Sequence, residues 1–534
     1  MKSRPGRALL LLSAAAVSQA AVAEVRLPHI LSDHAVLQRD APIHLWGWSD
    51  AGETITAHFH AQTRTAQANR YGEWTMWLMP EKAGGPYDLT IQGSAPALAA
   101  TGGATAAPAS TPAAPLDAAA MSSTGSGAAP AVTVADLLVG DVWFASGQSN
   151  MEMPLSGFPN SAVLKNADQE IASAANQPQM RLLLVEHDSP DVPLDDIHAT
   201  WTLCSPETAA KFSAVAYLFG REISSREHVP VGLIDATWGG TPVESWISLD
   251  GLAADASLMP AFAARARFAD EQSRMSLIIA EEHREDAAAR AAGQPVPKHP
   301  WHPGPASWNP SGLYNGLIAP ATPYTIKGVI WYQGETNSAP DRAPQYVRLF
   351  PAMIADWRQK WHQGDFPFLY VQISSFNSPG ENWGIIRDAQ RRTLSIANTG
   401  MAVSLDAGEF DNVHPADKQT VAARLALAAR RMVYGEAVEY SGPLFRQATL
   451  EDRGIRVWFD HAAGLTSKGG PLRGFEVAGE DAHYVTATAT ISGSSVLVSS
   501  PVKEPVYVRY AWSSFTDANL YNQAGLPAAT FTSE

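Results

Sequence analysis

Ser149, in Gly147-Gln148-Ser149-Asn150, and His414, in Asp411-Asn412-Val413-His414-Pro415, are the residues around which a reaction can be built. A serine hydroxyl is a weak nucleophile and needs a base within hydrogen-bond reach. Histidine suits that task because it titrates near neutrality. Asp411, three residues earlier, is spaced to receive the imidazole Nδ1 proton and fix the tautomer. The chemistry would be acyl transfer, in which charge develops on a carbonyl oxygen and needs donors. Backbone amides at Ser149 and Gly240 can supply two, since glycine in Trp238-Gly239-Gly240-Thr241 lets the main chain approach closely. A side-chain amide from Gln333-Gly334-Glu335-Thr336-Asn337, either Gln333 or Asn337, can supply a third.

Each segment alone has a plainer reading. Serine in such a turn is common, and Asp-x-x-His before a helix is often a cap with a surface histidine. Their weight comes from position. Apolar strand candidates run over 138–145, 181–185, 229–237, 326–332, 366–374 and 400–406. Four of the six are followed by one of the polar or glycine-rich segments, at 147–150, 238–241, 333–337 and 408–415. Between the strands lie helical patterns such as Phe212, Val215, Ala216, Phe219, Ile223 and Tyr346, Leu349, Phe350, Met353, Ile354, Trp357, Trp361. Buried strands alternating with helices predict a doubly wound parallel sheet, whose ligands bind beyond the carboxyl ends of the strands. The four segments then share one edge. Pro415 is expected to open a helix with Val421, Leu425 and Met432 on its apolar face.

The flanks read differently. Residues 24–94 alternate as strands do (Ile55, Ala57, Phe59; Trp74, Met76, Leu78; Tyr87, Leu89, Ile91) and predict an N-terminal β-sandwich-type module. Residues 95–131 are almost entirely Ala, Pro, Ser, Thr and Gly and predict a flexible insertion, since few large apolar groups are there to offset the entropy of ordering. The α/β region spans 132–435, interrupted at 253–310 by an Ala-, Arg- and Glu-rich helical stretch and a Pro- and Trp-bearing loop. From 436 to 534 the pattern is β again.

With 46% hydrophobic and 17% charged residues, the 534-residue chain has material for more than one core. A formal charge of −15 without a basic run argues against nucleic-acid binding. Lys2, Arg4 and Arg7, then apolar 8–17, then Ala21-Val22-Ala23 have the order of a secretory signal over residues 1–23, predicting export to the periplasm or beyond. No later stretch is long and apolar enough to span a bilayer. Cys204, the single cysteine, sits among apolar neighbours and reads as a small hydrophobe. His58 and His60 share one strand face, but no third ligand lies near, so no metal is expected. G-x-S-x-G, G-x-x-x-x-G-K-[ST] and H-E-x-x-H are all absent.

The segments together resemble a known family. Phe144-Ala-Ser-Gly-Gln-Ser-Asn-Met-Glu-Met-Pro154 resembles the first block of the sialate O-acetylesterases, within the SGNH-hydrolase superfamily. Residues 238–241, 331–337 and 411–415 resemble its later blocks, in order, and Leu37-Gln-Arg-Asp40, Trp46-Gly-Trp48 and Asn519-Leu-Tyr-Asn522 match in the flanks. The resemblance implies an SGNH-like core and a cofactor-free serine esterase that removes acetyl groups from sugar hydroxyls. It implies Ser149 as nucleophile, His414 as base, Asp411 as orienting acid and Gly240 as oxyanion donor. The superfamily's asparagine has no direct counterpart here. Gln333 is taken as its stand-in, with Asn337 second, and Glu335 as a group ordering the loop behind the site. The sugar would be O-acetylated sialic acid or acetylated hemicellulose. A sialic-acid carboxylate would want a cation, with Arg181, Arg387 and Arg391 as candidates. The competing expectation is a carbohydrate-binding protein without catalysis.

Overall fold

The computed structural model describes residues 25–94, 131–159, 163–299, 302, 306–452 and 454–534. The expected signal (1–23) and nearly all of the expected insertion (95–131) lie outside the described residues.

The N-terminal region holds β1 (Val36–Gln38), β2 (Ile43–Trp48), β3 (Thr54–Phe59), β4 (Gln62–Gln67), β5 (Glu73–Leu78) and β6 (Gly84–Ser94). Next come β7 (Val132–Gly147), β8 (Met180–Leu184), β9 (Trp201–Leu203), β10 (Val231–Thr237), β11 (Gly328–Tyr332), β12 (Phe368–Gln372) and β13 (Thr399–Val403). The central sheet has the order β13-β12-β11-β7-β10-β8-β9, parallel except for the edge strand β9. The expected strands are present: 138–145 is longer than expected, 181–185 is shifted by one residue, and the other four are shorter; β10, β11, β12 and β13 are buried along their whole length. Such burial is what helices on both faces impose, here including Ala214–Glu227, Ala343–Trp361 and Lys418–Met432.

The chain visits β7 first, then builds β8 and β10 on one side and β11, β12 and β13 on the other. The crevice where direction reverses therefore opens at the end of β7, immediately before Ser149.

The full length of β7 was not legible as a period. It has 16 residues, and its first part pairs with β1 and β6 before its last part pairs with β10 and β11. A single strand thus belongs to both the N-terminal β region and the core. The antiparallel β3-β4 and β3-β6 ladders and the β2-β5 ribbon make the rest of that region. His58 bonds the Thr63 hydroxyl (2.9 Å), while His60 pairs with Glu81 and stacks on Tyr87.

After the core come two four-stranded antiparallel sheets between Leu444 and Thr532. Arg387, fully buried on the helix Trp383–Thr393, ties them down: its guanidinium donates to the carbonyls of Ser513 (2.9 Å) and Ser514 (2.7 Å), and also to Ile373 and Ser374. The 253–310 interruption contains one long helix, Pro260–Ala291. Among the described residues no helix is long and apolar enough to cross a membrane.

Candidate active site

Gly147 ends β7 at φ +135°, opposite Thr237 on one side and Tyr332 on the other. A Cβ there would lie 2.2 Å from the Tyr332 carbonyl oxygen, so only glycine fits between the two neighbouring strands. The Gln148 N–H donates to Tyr332 O (3.0 Å), and the chain turns into a short helix, Ser149–Glu152. This turn lifts the Ser149 side chain off the sheet into a cavity of about 900 Å³.

His414 reaches the same cavity from the loop after β13. Its Nε2 lies 2.8 Å from Ser149 Oγ, across 265 residues of sequence. Burial and the nearby Lys418 cation depress its pKa to about 4, against an opposing contribution from Glu152. The ring is therefore neutral near pH 7, the form that accepts a proton. Phe158 packs against the imidazole, with ring centroids 5.3 Å apart.

Asp411 does not take the expected place. It is exposed, and its carboxylate makes no hydrogen bond to His414 among the described residues. The next residue holds the base instead: Asn412 Oδ1 accepts from the His414 N–H (3.0 Å), and its Nδ2 donates to His414 O (2.8 Å) and Glu409 (3.0 Å). Glu409 also accepts from the Ala416 N–H (2.7 Å). These bonds close the loop on itself and turn Asp411 outward. Asp417, accepting from Thr420 N, caps the following helix, which begins at Lys418 rather than at Pro415.

A buried connection joins the serine turn to the histidine loop. Asn150 Nδ2 donates to Val413 O (3.0 Å) and Glu335 Oε1 (2.6 Å), while its Oδ1 accepts from Lys418 Nζ (2.5 Å). Burial lowers the Lys418 pKa to about 7 and raises that of Glu335, whose Oε2 has no partner. Glu335 accepts this bond from Asn150 and also lines the cavity. Asn150 and Lys418 went unread in the sequence. Lysine in the first turn of a helix opposes the macrodipole, and that was the available signal.

Gly240 faces the cavity at φ +67°, with its carbonyl accepting from Trp308 Nε1 (2.7 Å). A Cβ on Gly239 would lie 3.3 Å from Ser149 Cβ, so the glycine turn presses close against Ser149. Among the described residues neither the Ser149 nor the Gly240 N–H has a protein acceptor. Gln333 is placed differently. Its Nε2 is spent on Thr241 O (3.1 Å) and Asn337 Oδ1 (2.7 Å), and its Oε1 accepts from Tyr346 (3.0 Å). Asn337 in turn accepts from Val243 N (2.9 Å) and donates to Glu244 (3.0 Å). Both amides are fully buried and line no part of the cavity; they knit the two loops together from behind.

The walls contain Trp238, from the glycine segment, and several groups that no motif announced. Trp238 stacks flat on His187 (4.2 Å, 7°), which pairs with Glu152 (3.3 Å). Burial alone would lower the His187 pKa, but the bond and charge of Glu152 outweigh it and raise the value. Trp308 lies under Arg342 (4.5 Å), and Phe376 and Trp383 form the far side with Ser378 and Glu381. Of the arginines expected to meet a carboxylate, Arg181 bonds Asp136, Arg387 is committed to carbonyls and Arg391 pairs with Asp388. Arg342 is the cavity's arginine. Cys204 is half-buried, its thiol pushed up to about 11 by burial, and lies outside the cavity.

The description "carbohydrate esterase, sialic acid-specific acetylesterase" fits a family model matched by residues 289–431. The rat (Rattus norvegicus) sialate O-acetylesterase is 29% identical, over 99% of this chain and 98% of its own. The mouse (Mus musculus) sialate O-acetylesterase is 30% identical, over 83% and 80%. Among solved structures, XAC1771, a carbohydrate acetylesterase from Xanthomonas citri, superposes with a TM-score of 0.75 at 33% identity, covering 96% of this chain and 99% of its own. A Ser–His pair at the switch point of a doubly wound sheet, set in a chain alike over nearly its whole length, identifies the lineage: the chain belongs to the sialate O-acetylesterase family of carbohydrate esterases.

Proposed function

We propose that this protein hydrolyses O-acetyl groups on sugars through an acetyl-Ser149 intermediate. The observation that carries the reading is the 2.8 Å contact between Ser149 Oγ and a neutral His414 Nε2. Ser149 attacks the acetyl carbonyl as His414 takes its proton. The C–O bond to the sugar then breaks and the sugar oxygen receives that proton from His414. Water, deprotonated by His414, attacks the acetyl-serine, and acetate leaves with Ser149 restored. The Ser149 and Gly240 amides bind the oxyanion in both steps. Asn412 and Asn150 hold the loop that carries His414, through its backbone and that of Val413.

The substrate is an O-acetylated sialic acid or an acetylated hemicellulose oligosaccharide. Arg342, free of ion pairs among the described residues and lying over Trp308, suits a carboxylate. The rings of Trp238, Trp308, Phe376 and Trp383 suit the C–H faces of a neutral sugar. The charged, apolar and small residues in order over 1–23 support a reading in which the enzyme is exported and meets such glycans there.

The test is acetate release by the wild-type protein and Ser149→Ala from both substrate classes, with Arg342→Ala alongside. Release by the wild type and not by Ser149→Ala supports the serine mechanism; equal release by both removes it. A selective loss on the sialic acid in Arg342→Ala assigns the carboxylate, and an equal effect on both sugars excludes that assignment.

A further inference from the structure

Among the described residues three aromatic side chains are strongly exposed. Tyr71 and Trp77 are in the N-terminal β region; the third, Phe410, is 56% exposed and lies four residues before the catalytic histidine. Single exposed apolar side chains are ordinary on a globular surface; Phe410 stands apart because its segment leads into His414 and is bonded to the segment carrying Phe376 and Ser378.

The ring is not loose. It meets Phe515 of the C-terminal β region edge-on, with centroids 5.1 Å apart at 80°. Its own carbonyl accepts from the Asn377 N–H (3.0 Å), between the cavity-lining residues Phe376 and Ser378. Ser514, next to Phe515, bonds both of these: its carbonyl accepts from Phe376 N (3.2 Å) and its hydroxyl from Ser378 N (3.2 Å). Arg387 fixes that strap from below. The segments carrying Phe410 and Phe515 are therefore both bonded to the one that supplies Phe376 and Ser378 to the Ser149 cavity, where the core and the C-terminal region meet. Beside that contact Phe410 keeps 56% of its surface exposed.

We propose that Phe410, backed by Phe515, is a subsite for the sugar unit adjoining the acetylated one in an oligosaccharide chain. A pyranose ring presents a face of C–H groups, and a rigid phenyl takes that face with little loss of side-chain entropy. The acetylated unit lies against Ser149, and its neighbour leaves the cavity over Phe410. This gives the C-terminal β region a part in substrate choice. The proposal rests on the reading of the cavity as one for O-acetylated sugars.

The experiment compares kcat/KM for an acetylated oligosaccharide with that for the acetylated monosaccharide of the same sugar, in wild type, Phe410→Ala and Phe410→Trp. The oligosaccharide-to-monosaccharide ratio is expected to fall about three- to tenfold in Phe410→Ala, the size of one aromatic contact, and to recover in Phe410→Trp. An unchanged ratio in Phe410→Ala overturns the proposal. So does an equal fall on both substrates, which would mean that the ring acts only on the histidine loop. Failure of the cavity reading shows separately, as absence of acetate release by the wild type from either sugar.

Discussion

The serine turn and the histidine loop meet at 2.8 Å but are built on opposite principles. Ser149 is placed by main chain. β7 is held in register with β10 and β11, Gly147 fits where no side chain can, and the Gln148 N–H is fixed on Tyr332. His414 is placed by side chains: Asn412 and Glu409 close its loop, and Asn150 ties that loop across to the turn. A side chain positioned by a sheet tolerates change in the side chains around it. One positioned by carboxamides does not.

Substitutions can break this contrast in order of size. Ser149→Ala should lower kcat on the order of 10⁴-fold or more, as loss of a nucleophile does, with circular dichroism and melting unchanged. Gly147→Ala should misplace the turn and cost roughly 10²-fold, the scale of a 1 Å displacement, measured as kcat together with a lowered Tm. Asn150→Ala removes the tie and leaves Lys418 and Glu335 without their shared partner. We expect a loss of about 10- to 100-fold in kcat with KM little changed; a wild-type rate would mean that the loop needs no tie. Asp411→Ala should stay within about threefold, whereas an acid bonded to the catalytic imidazole is worth about 10⁴-fold. A large loss there would restore Asp411 to the mechanism.

Acid sharpens the same contrast. The imidazole must be neutral to accept the serine proton, and burial beside Lys418 depresses its pKa to about 4. As pH falls through about 4, His414 protonates and kcat/KM should drop; above it the rate should be level toward neutrality. An ordinary histidine would put that drop near 6.5. A pH–rate profile in which the fall is centred near 6.5 would mean that the histidine is more hydrated than its burial implies.

Much of this was legible in the residues. Runs of fully buried strands such as 328–332 are encoded as unbroken apolar segments, and the residues just beyond each strand end are read directly from the chain. Ser149, His414 and Gly240 were found that way. The orientation of a polar side chain at a strand end is another matter. Gln333 stands at the end of β11, yet it turns inward because Thr241, Asn337 and Tyr346, at separations of 92, 4 and 13 residues, offer three buried partners. Asp411 has the expected spacing, yet Asn412 wins the loop through two bonds to His414. The far wall was equally hidden: only the fold brings Trp308 to Phe376 and Trp383, which follow β12 in one stretch.

The central claim is covalent, and it can be read directly. Wild-type protein mixed with an acetylated sugar and acid-quenched within a turnover should carry the mass of one acetyl group on the peptide containing Ser149, and Ser149→Ala should carry none. Acetate released at the wild-type rate with no acetyl-enzyme at any quench time, and the same release from Ser149→Ala, would contradict the account.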